Sequence, residues 1–105
     1  MAQGEVIELL KKYVQVLIAE GISVQSAFLY GSFLNESATE ESDIDILLVS
    51  DDFDEMDDAL AGKAWRLTSK VNSRIEPFLI GTEKYENSAN SPLLLEVKEK
   101  GIQII

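Results

Sequence analysis

The chain has 105 residues, enough for one domain with a buried core and too few for a second domain beside it. Its 19 acidic and 9 basic residues give a net charge of -10, which disfavours binding along nucleic acid or an acidic membrane. Cysteine and histidine are both absent, which excludes disulfides and thiolate metal sites and leaves carboxylates as the main candidates for metal binding or proton transfer.

The beginning of the chain does not resemble a targeting segment. Residues 1–5 lack a basic region followed by an apolar core, and no apolar run reaches the ~20 residues that a membrane span requires. We therefore expect a single domain over residues 1–105 that is neither secreted nor membrane-bound. The lack of cysteine is compatible with a cytoplasmic location.

The first predicted elements are a helix and a buried strand. Apolar residues recur at helical spacing over residues 5–20, and Gly21 stands where that helix would end. Residues 26–30 are apolar and partly aromatic, which predicts a strand, and they run directly into a turn at Gly31 and Ser32. The polar residues 33–41 have room for a short helix.

Residues 43–49 form the second predicted strand and carry two acids among aliphatic residues. Because side chains alternate between the faces of a strand, Asp43 and Asp45 share one face, and Ile44 and Ile46 share the other. Two ionised carboxylates this close repel each other, and an otherwise apolar strand desolvates them. A divalent cation relieves both penalties, and Mg²⁺ and Mn²⁺ are the hard ions that suit carboxylate ligands.

The second half of the chain continues the alternation of helices and strands. After an acidic turn at residues 50–55, a helix is predicted over residues 56–72, followed by a strand over residues 74–80. That strand carries Glu76 directly before Pro77, and proline cannot donate to a strand ladder. We therefore expect the strand to lie at an edge of the sheet or to be bulged.

Ser91 and Pro92 form a typical helix start, and Gly101 a typical helix end, so the last helix is predicted over residues 92–100. Residues 102–105 have room for a final short strand. The order helix, strand, short helix, strand, helix, strand, helix indicates an α/β fold.

The turn at Gly31 and Ser32 is a candidate phosphate site. Glycine lets a phosphate approach the backbone, and the serine hydroxyl and following amides can donate hydrogen bonds to it. The turn lies near Asp43 only if the first two strands run antiparallel, which the short connection favours. Taken alone, the turn would be read as an ordinary one and the acids as solvated residues at a strand start. Together they predict a nucleotide site.

The run from Gly31 and Ser32, through a spacer, to Ser42-Asp43-Ile44-Asp45 resembles the signature of minimal nucleotidyltransferases in the DNA polymerase beta superfamily. Residues 74–77 resemble the strand that bears that family's third carboxylate. The resemblance implies the nucleotidyltransferase fold, a small mixed β-sheet with helices packed against it. It also implies site residues: the catalytic and metal-binding Asp43, Asp45 and Glu76, and the nucleotide-binding Gly31, Ser32, Asn35 and Ser42.

The implied chemistry is the transfer of a nucleoside monophosphate, AMP from ATP, with release of pyrophosphate and with Mg²⁺ or Mn²⁺ as cofactor. Small relatives act with a separate helical HEPN-domain protein, as antitoxins that modify or mask it. The resemblance thus suggests such a protein as partner and acceptor. The small size of the domain leaves little room for an acceptor site of its own, which motivates a partner or self-association.

This sequence departs from the family pattern at two positions of the spacer. Family members often have arginine and glycine where this chain has Asn35 and Glu36, so a phosphate-binding cation is missing and an acid stands near the expected triphosphate. The third carboxylate is the glutamate Glu76 rather than the commoner aspartate. These departures keep open an alternative, a weak or inactive module that binds nucleotide or a partner, and a third reading as a purely structural domain.

Overall fold

The computed structural model describes residues 1–34, 38–39, 41–55, 57–87 and 91–105. Within them the chain forms a mixed α/β domain. The elements in chain order are α1 (Gln3–Ala19), β1 (Ser26–Tyr30), β2 (Ile44–Val49), α2 (Asp58–Leu67), β3 (Ile75–Ile80), α3 (Thr82–Glu86), α4 (Pro92–Lys100) and β4 (Ile102–Gln103). No helix of the described residues is long and apolar enough to cross a membrane.

The strands form one mixed sheet with the order β3-β2-β1-β4. β1 runs antiparallel to both β2 and β4, whereas β2 and β3 run parallel. The predicted antiparallel pairing of the first two strands is therefore confirmed. As a result, β1 ends where β2, β3 and β4 begin, and we call this side of the sheet the carboxylate end.

Helices α1 and α2 pack on one face of the sheet and enclose the larger apolar core. The apolar side of α1 is fully buried there. The Tyr13 hydroxyl donates to the Ala64 carbonyl at 2.7 Å, which joins the two helices through a satisfied buried polar group. The Lys63 ammonium donates to the last turn of α1 at the Glu20 carbonyl. Lys63 thus satisfies a backbone carbonyl at the C-terminal end of α1.

The opposite face of the sheet is covered only in part. Leu47 and Val49 of β2 are buried beneath Leu94 and Val97 of α4, and Tyr85 of α3 stacks on the β1 residue Phe28 with ring centroids 5.7 Å apart. Earlier in β2, on this same face, the side chains are less buried. At the carboxylate end the chain therefore leaves Asp45 half-buried and Asp43 and Glu76 exposed.

The elements predicted from sequence are mostly confirmed, with differences at their ends. β2 begins one residue later than predicted, and the helix predicted over residues 56–72 is shorter. It ends at Leu67 and continues as a 3₁₀ turn over Thr68–Lys70. The hydroxyls of Thr68 and Ser69 donate to carbonyls three residues earlier, which favours the tighter turn.

The helix α3 was not predicted. None of its residues is buried, so it has no apolar stripe in the sequence. Its first turn is stabilised from a distance, since the Glu83 amide donates to the Asp54 carboxylate at 3.2 Å. Of the segment 33–41, in which a short helix was allowed, residues 33 and 34 belong to a 3₁₀ turn at Gly31–Leu34, and residues 35–37 and 40 lie outside the described residues.

Pro77 lies on the edge strand, as predicted. The Ile44 amide donates to the Arg74 carbonyl and the Ser50 amide to the Ile80 carbonyl. The backbone amides and carbonyls of the even-numbered residues of β3 therefore point towards β2, and those of the odd-numbered residues point away. Pro77 therefore sits where an amide would point away from the sheet. The missing donor leaves the ladder intact and makes the free edge a poorer template for another strand.

Candidate metal and nucleotide site

The acidic residues predicted from sequence meet at the carboxylate end of the sheet. Asp45 on β2 is the register partner of both Tyr30 on β1 and Glu76 on β3, which places the three side chains in one row across three strands. Asp43 lies two residues before Asp45, just outside β2 and on the same side. Parallel pairing of β2 and β3 is what joins the third acid to the first two.

The burial of β2 confirms that its two faces differ. Ile44 and Ile46 are fully buried against the α1 and α2 layer, whereas Asp43 is exposed and Asp45 is half-buried. Glu76 is exposed, and its side chain lies close to that of Asp43. The three acids are therefore close enough for their charges to repel one another.

The electrostatics of the row raise several pKa values. Partial burial, with the nearby charges of Glu76 and Asp43, raises the pKa of Asp45 to about 6. Desolvation and the charge of Asp43 raise the pKa of Glu76. Burial and the two acids beside it raise the pKa of Tyr30 to about 12. Each shift has the sign expected where negative charge accumulates without a cation.

The turn after β1 lies directly against this row. Gly31 has a φ of +81°, and a Cβ built on it would collide with the Asp45 carboxylate. Only glycine combines this left-handed conformation with so close an approach. The 3₁₀ turn that follows is tied to α1, because the Gln3 side-chain amide donates to the Phe33 carbonyl at 2.8 Å. Gly31 and the adjacent, half-buried Ser32 thus lie beside Asp45, as predicted.

Arg74 is a contributor that the sequence analysis did not single out. Its guanidinium Nε donates to the Ser42 carbonyl at 3.0 Å, and its Nη2 donates to the carbonyls of Ser42 and Thr39. The feature of the sequence that could have indicated this role is the position of Arg74 directly before β3, two residues from Glu76. Arg74 holds the chain that leads into Asp43, which makes it a positioning residue for that carboxylate.

Ser42 has a structural contact within the same segment. Its hydroxyl oxygen accepts from the Thr39 amide at 2.8 Å, and the Ser42 amide donates to the Thr39 carbonyl. The Ser42 hydroxyl also lies 3.3 Å from the Thr39 hydroxyl, and the nucleotide-binding role of Ser42 stays a prediction. Asn35 and Glu36, the two departures from the family pattern, lie outside the described residues.

The donor set suits a hard divalent cation in chemistry, though not yet in arrangement. Asp43, Asp45 and Glu76 supply oxygen ligands, and burial together with the two neighbouring acids raises the pKa of Asp45. Among the described residues, however, no three acidic side chains are already arranged as a metal-ligand group. Binding would therefore require the side chains to turn towards a common centre.

The volume of a groove does not identify this site. A groove of about 650 Å³ runs along the first half of α1, lined by residues that include Leu9, Lys12 and Val71. It lies on the α1 and α2 side of the sheet, opposite the acids. The carboxylate end is identified by its acidic side chains and by the register of its strands, and not by the depth of a groove.

Comparison with known proteins agrees with this geometry. The sequence pattern of the family described as "Polymerase beta, Nucleotidyltransferase" matches residues 5–105. A protein from Sulfolobus solfataricus described as a nucleotidyltransferase has a solved structure with a TM-score of 0.61 at 16% identity, covering 96% of this chain and 80% of that one. A mutant of the MntA-HpeT toxin-antitoxin complex gives 0.60 at 20% identity, covering 90% of this chain and 71% of that one. No curated protein sequence matches the chain.

Proposed function

The chain belongs to the polymerase beta nucleotidyltransferase family, and from that premise we propose that it transfers AMP from ATP to a hydroxyl acceptor with Mg²⁺ or Mn²⁺ as cofactor. One observation carries the proposal. The register of β2 and β3 sets Asp45 beside Glu76, with Asp43 close to both acids and Gly31 packed against the Asp45 carboxylate. Metal-assisted phosphoryl transfer uses acids that can hold divalent ions beside donors that can bind phosphate.

Asp43 and Asp45 are the residues that would hold the metal, with Glu76 completing the set. A bound divalent ion would supply charge neutralisation at the triphosphate and lower the barrier for displacement at its α-phosphorus. The protein's own contribution is to hold the half-buried Asp45 on β2 between Asp43 and Glu76. Arg74 holds the chain segment that precedes Asp43 through its hydrogen bonds to the backbone carbonyls of Thr39 and Ser42.

Gly31 and Ser32 would bind the triphosphate. The left-handed Gly31 turns the backbone so that the amides of the 3₁₀ turn follow in sequence, and such successive amides form an anion-binding concavity. The Ser32 hydroxyl adds a donor. We assign Asn35 and Ser42 to the same phosphate-binding segment on the family pattern.

We propose that Glu76 receives the proton of the acceptor hydroxyl. It is exposed on the outer strand β3, on the side of Asp45 away from the phosphate turn, so an acceptor can approach it from solvent. Its raised pKa brings it closer to the range in which a carboxylate is an effective general base. Attack of the acceptor oxygen on the α-phosphorus forms the new P–O bond, and pyrophosphate leaves.

We propose a partner protein as the acceptor, with a helical HEPN-domain protein as the first choice. The fold neighbour MntA-HpeT is a toxin-antitoxin complex, and its mutant form replaces two aspartates two positions apart by glutamate. Asp43 and Asp45 have the same spacing. The open site at the carboxylate end leaves room for such a partner.

The test is transfer of label from ATP. Purified protein is incubated with Mg²⁺, the protein encoded by the neighbouring gene, and ATP labelled at either the α- or the γ-phosphate. The proposal expects label on the acceptor from α-labelled ATP only, and its loss in Asp43→Asn and Asp45→Asn. Asp51→Asn, an exposed acid at the other end of β2, is the matched control and keeps activity. Transfer from γ-labelled ATP, or transfer that survives both site variants, would refute it.

A second candidate is a module that binds nucleotide and a partner without catalysis. It is favoured by Asn35 and Glu36 in the phosphate segment, and by acids that are not yet arranged as a ligand group in the described residues. Titration with Mg·ATP followed by NMR separates the two. Shifts at Gly31, Ser32 and Asp45 without label transfer would support the binding module.

A further inference from the structure

The proposed site contains more negative charge than its metals can cancel. Three carboxylates and a bound triphosphate carry about seven negative charges, and two divalent ions remove about four of them. The chain as a whole is also acidic, with a net charge of -10. A lysine or arginine near the phosphates would lower this electrostatic cost, and the family's usual arginine is replaced by Asn35.

Most of the nine cationic side chains either lie far from the site or already donate to another group. Five lie on α1, α2 and the 3₁₀ turn after α2, on the opposite face of the sheet: Lys11, Lys12, Lys63, Arg66 and Lys70. Arg74 holds backbone carbonyls, and Lys98 donates to the Tyr85 carbonyl at 3.0 Å. Lys84 lies on α3, which follows the far end of β3. This leaves Lys100.

Lys100 is placed at the carboxylate end by the pairing of β4. Ile102 is the register partner of Leu29, the second-last residue of β1, so β4 begins and α4 ends on the side of the sheet where Gly31 follows β1. Lys100 is the last residue of α4, where it is exposed and makes no hydrogen bond or ion pair with another described residue. Its flexible four-carbon stem carries the charge away from the backbone.

The short connection between α4 and β4 fixes the position of the Lys100 backbone. Gly101 is extended, with its amide donating to the Val97 carbonyl at 2.8 Å, and a Cβ on Gly101 would press on that same carbonyl. The chain thus turns directly from the helix into the strand beside β1. A cation in a last helical turn also favours the helix dipole, but that effect is independent of nucleotide.

We propose that Lys100 binds the β- and γ-phosphates of the nucleotide held at Gly31 and Ser32, in place of the arginine missing from the spacer. This inference rests on the proposed function. It assigns the phosphate-binding cation to the end of the last helix, across β1 from the acids. The class of ligand is a metal-bound triphosphate, whatever its base.

The test compares affinities for phosphates of different length by calorimetry at low salt. Lys100→Gln is expected to weaken Mg·ATP and Mg·tripolyphosphate binding by roughly five- to tenfold, the effect of losing one charge-assisted hydrogen bond. Binding of AMP, which lacks the two outer phosphates, stays unchanged. Lys100→Arg keeps most of the affinity. Lys84→Gln makes the same charge change at the far end of the sheet and leaves all affinities unchanged.

The possible outcomes separate this inference from the proposed function. If the wild-type protein binds no Mg·ATP, both are overturned. If it binds Mg·ATP, and Lys100→Gln weakens binding no more than Lys84→Gln does, only the assignment of Lys100 is overturned. An equal loss for AMP and ATP would also contradict a role at the outer phosphates. Thermal melting of both variants, expected to match the wild type, shows that the fold is retained.

Discussion

Replacing Asp45 by asparagine should stabilise the metal-free protein while abolishing its activity. The pKa of Asp45 is raised from 3.8 to about 6 in the folded protein. At 1.36 kcal/mol per pKa unit, ionised Asp45 would cost at most about 3 kcal/mol of folding free energy at pH 7. Because the side chain is only half-buried, solvent screening reduces this to about 1 kcal/mol.

The pH dependence follows from the direction of that shift. A folded pKa above the unfolded one means that the folded state binds the proton more tightly. The stabilisation from the protonated form is complete below pH 3.8 and is lost as the pH rises through about 6. Asp45→Asn should therefore exceed the wild type by about 1 kcal/mol at pH 7, with a Tm higher by about 4 °C, and the gain should vanish near pH 3.5.

Urea denaturation at pH 3.5, 5 and 7 in the presence of EDTA measures this difference directly. Asp51→Asn removes one exposed charge at the other end of β2 and controls for the general relief of a net charge of -10. An Asp45→Asn variant that is no more stable than Asp51→Asn at pH 7 would show that burial and the neighbouring acids do not make ionised Asp45 costly to the folded state. Added Mg²⁺ and ATP should stabilise the wild type and leave Asp45→Asn unchanged.

Three further outcomes are expected. Gly31→Ala should lower stability by about 1–3 kcal/mol and abolish nucleotide binding, because its Cβ meets Asp45 at a positive φ; unchanged melting would contradict this. Tyr13→Phe should cost about 1 kcal/mol at pH 8. Burial raises the pKa of Tyr13, so wild-type stability should fall as the pH rises above that of a free tyrosine, and the variant should lose less in urea denaturation extended to alkaline pH. Arg74→Ala should reduce kcat with little change in the affinity for ATP, whereas a merely structural role would affect both equally.

Much of the site could be predicted because its residues are close in sequence. The period-two spacing of Asp43 and Asp45, and the strand ending in Gly31, are local patterns that survive any tertiary arrangement. Glu76 required the family resemblance, since a lone acid in a strand carries no signal of its partners. Its place beside Asp45 depends on the parallel pairing of β2 and β3, a contact between distant parts of the chain.

The parts that sequence missed depend on long-range contacts. The α3 helix exists without a buried residue, partly because Asp54 caps it from another loop. The bonds of Arg74 to the Thr39–Ser42 segment join residues over thirty positions apart. The position of Lys100 depends on the pairing of β4 with β1. None of these contacts leaves a periodic pattern in the residues that make it.

Binding of Mn²⁺ in the presence of a non-hydrolysable ATP analogue, observed by NMR, tests most directly whether these acids grip a nucleotide through a metal. Paramagnetic broadening should centre on Gly31, Asp45 and Glu76 and should disappear in Asp45→Asn. If millimolar Mn²⁺ with nucleotide leaves those signals sharp, or broadens them equally in Asp45→Asn, the acids at the carboxylate end do not form a metal-nucleotide site.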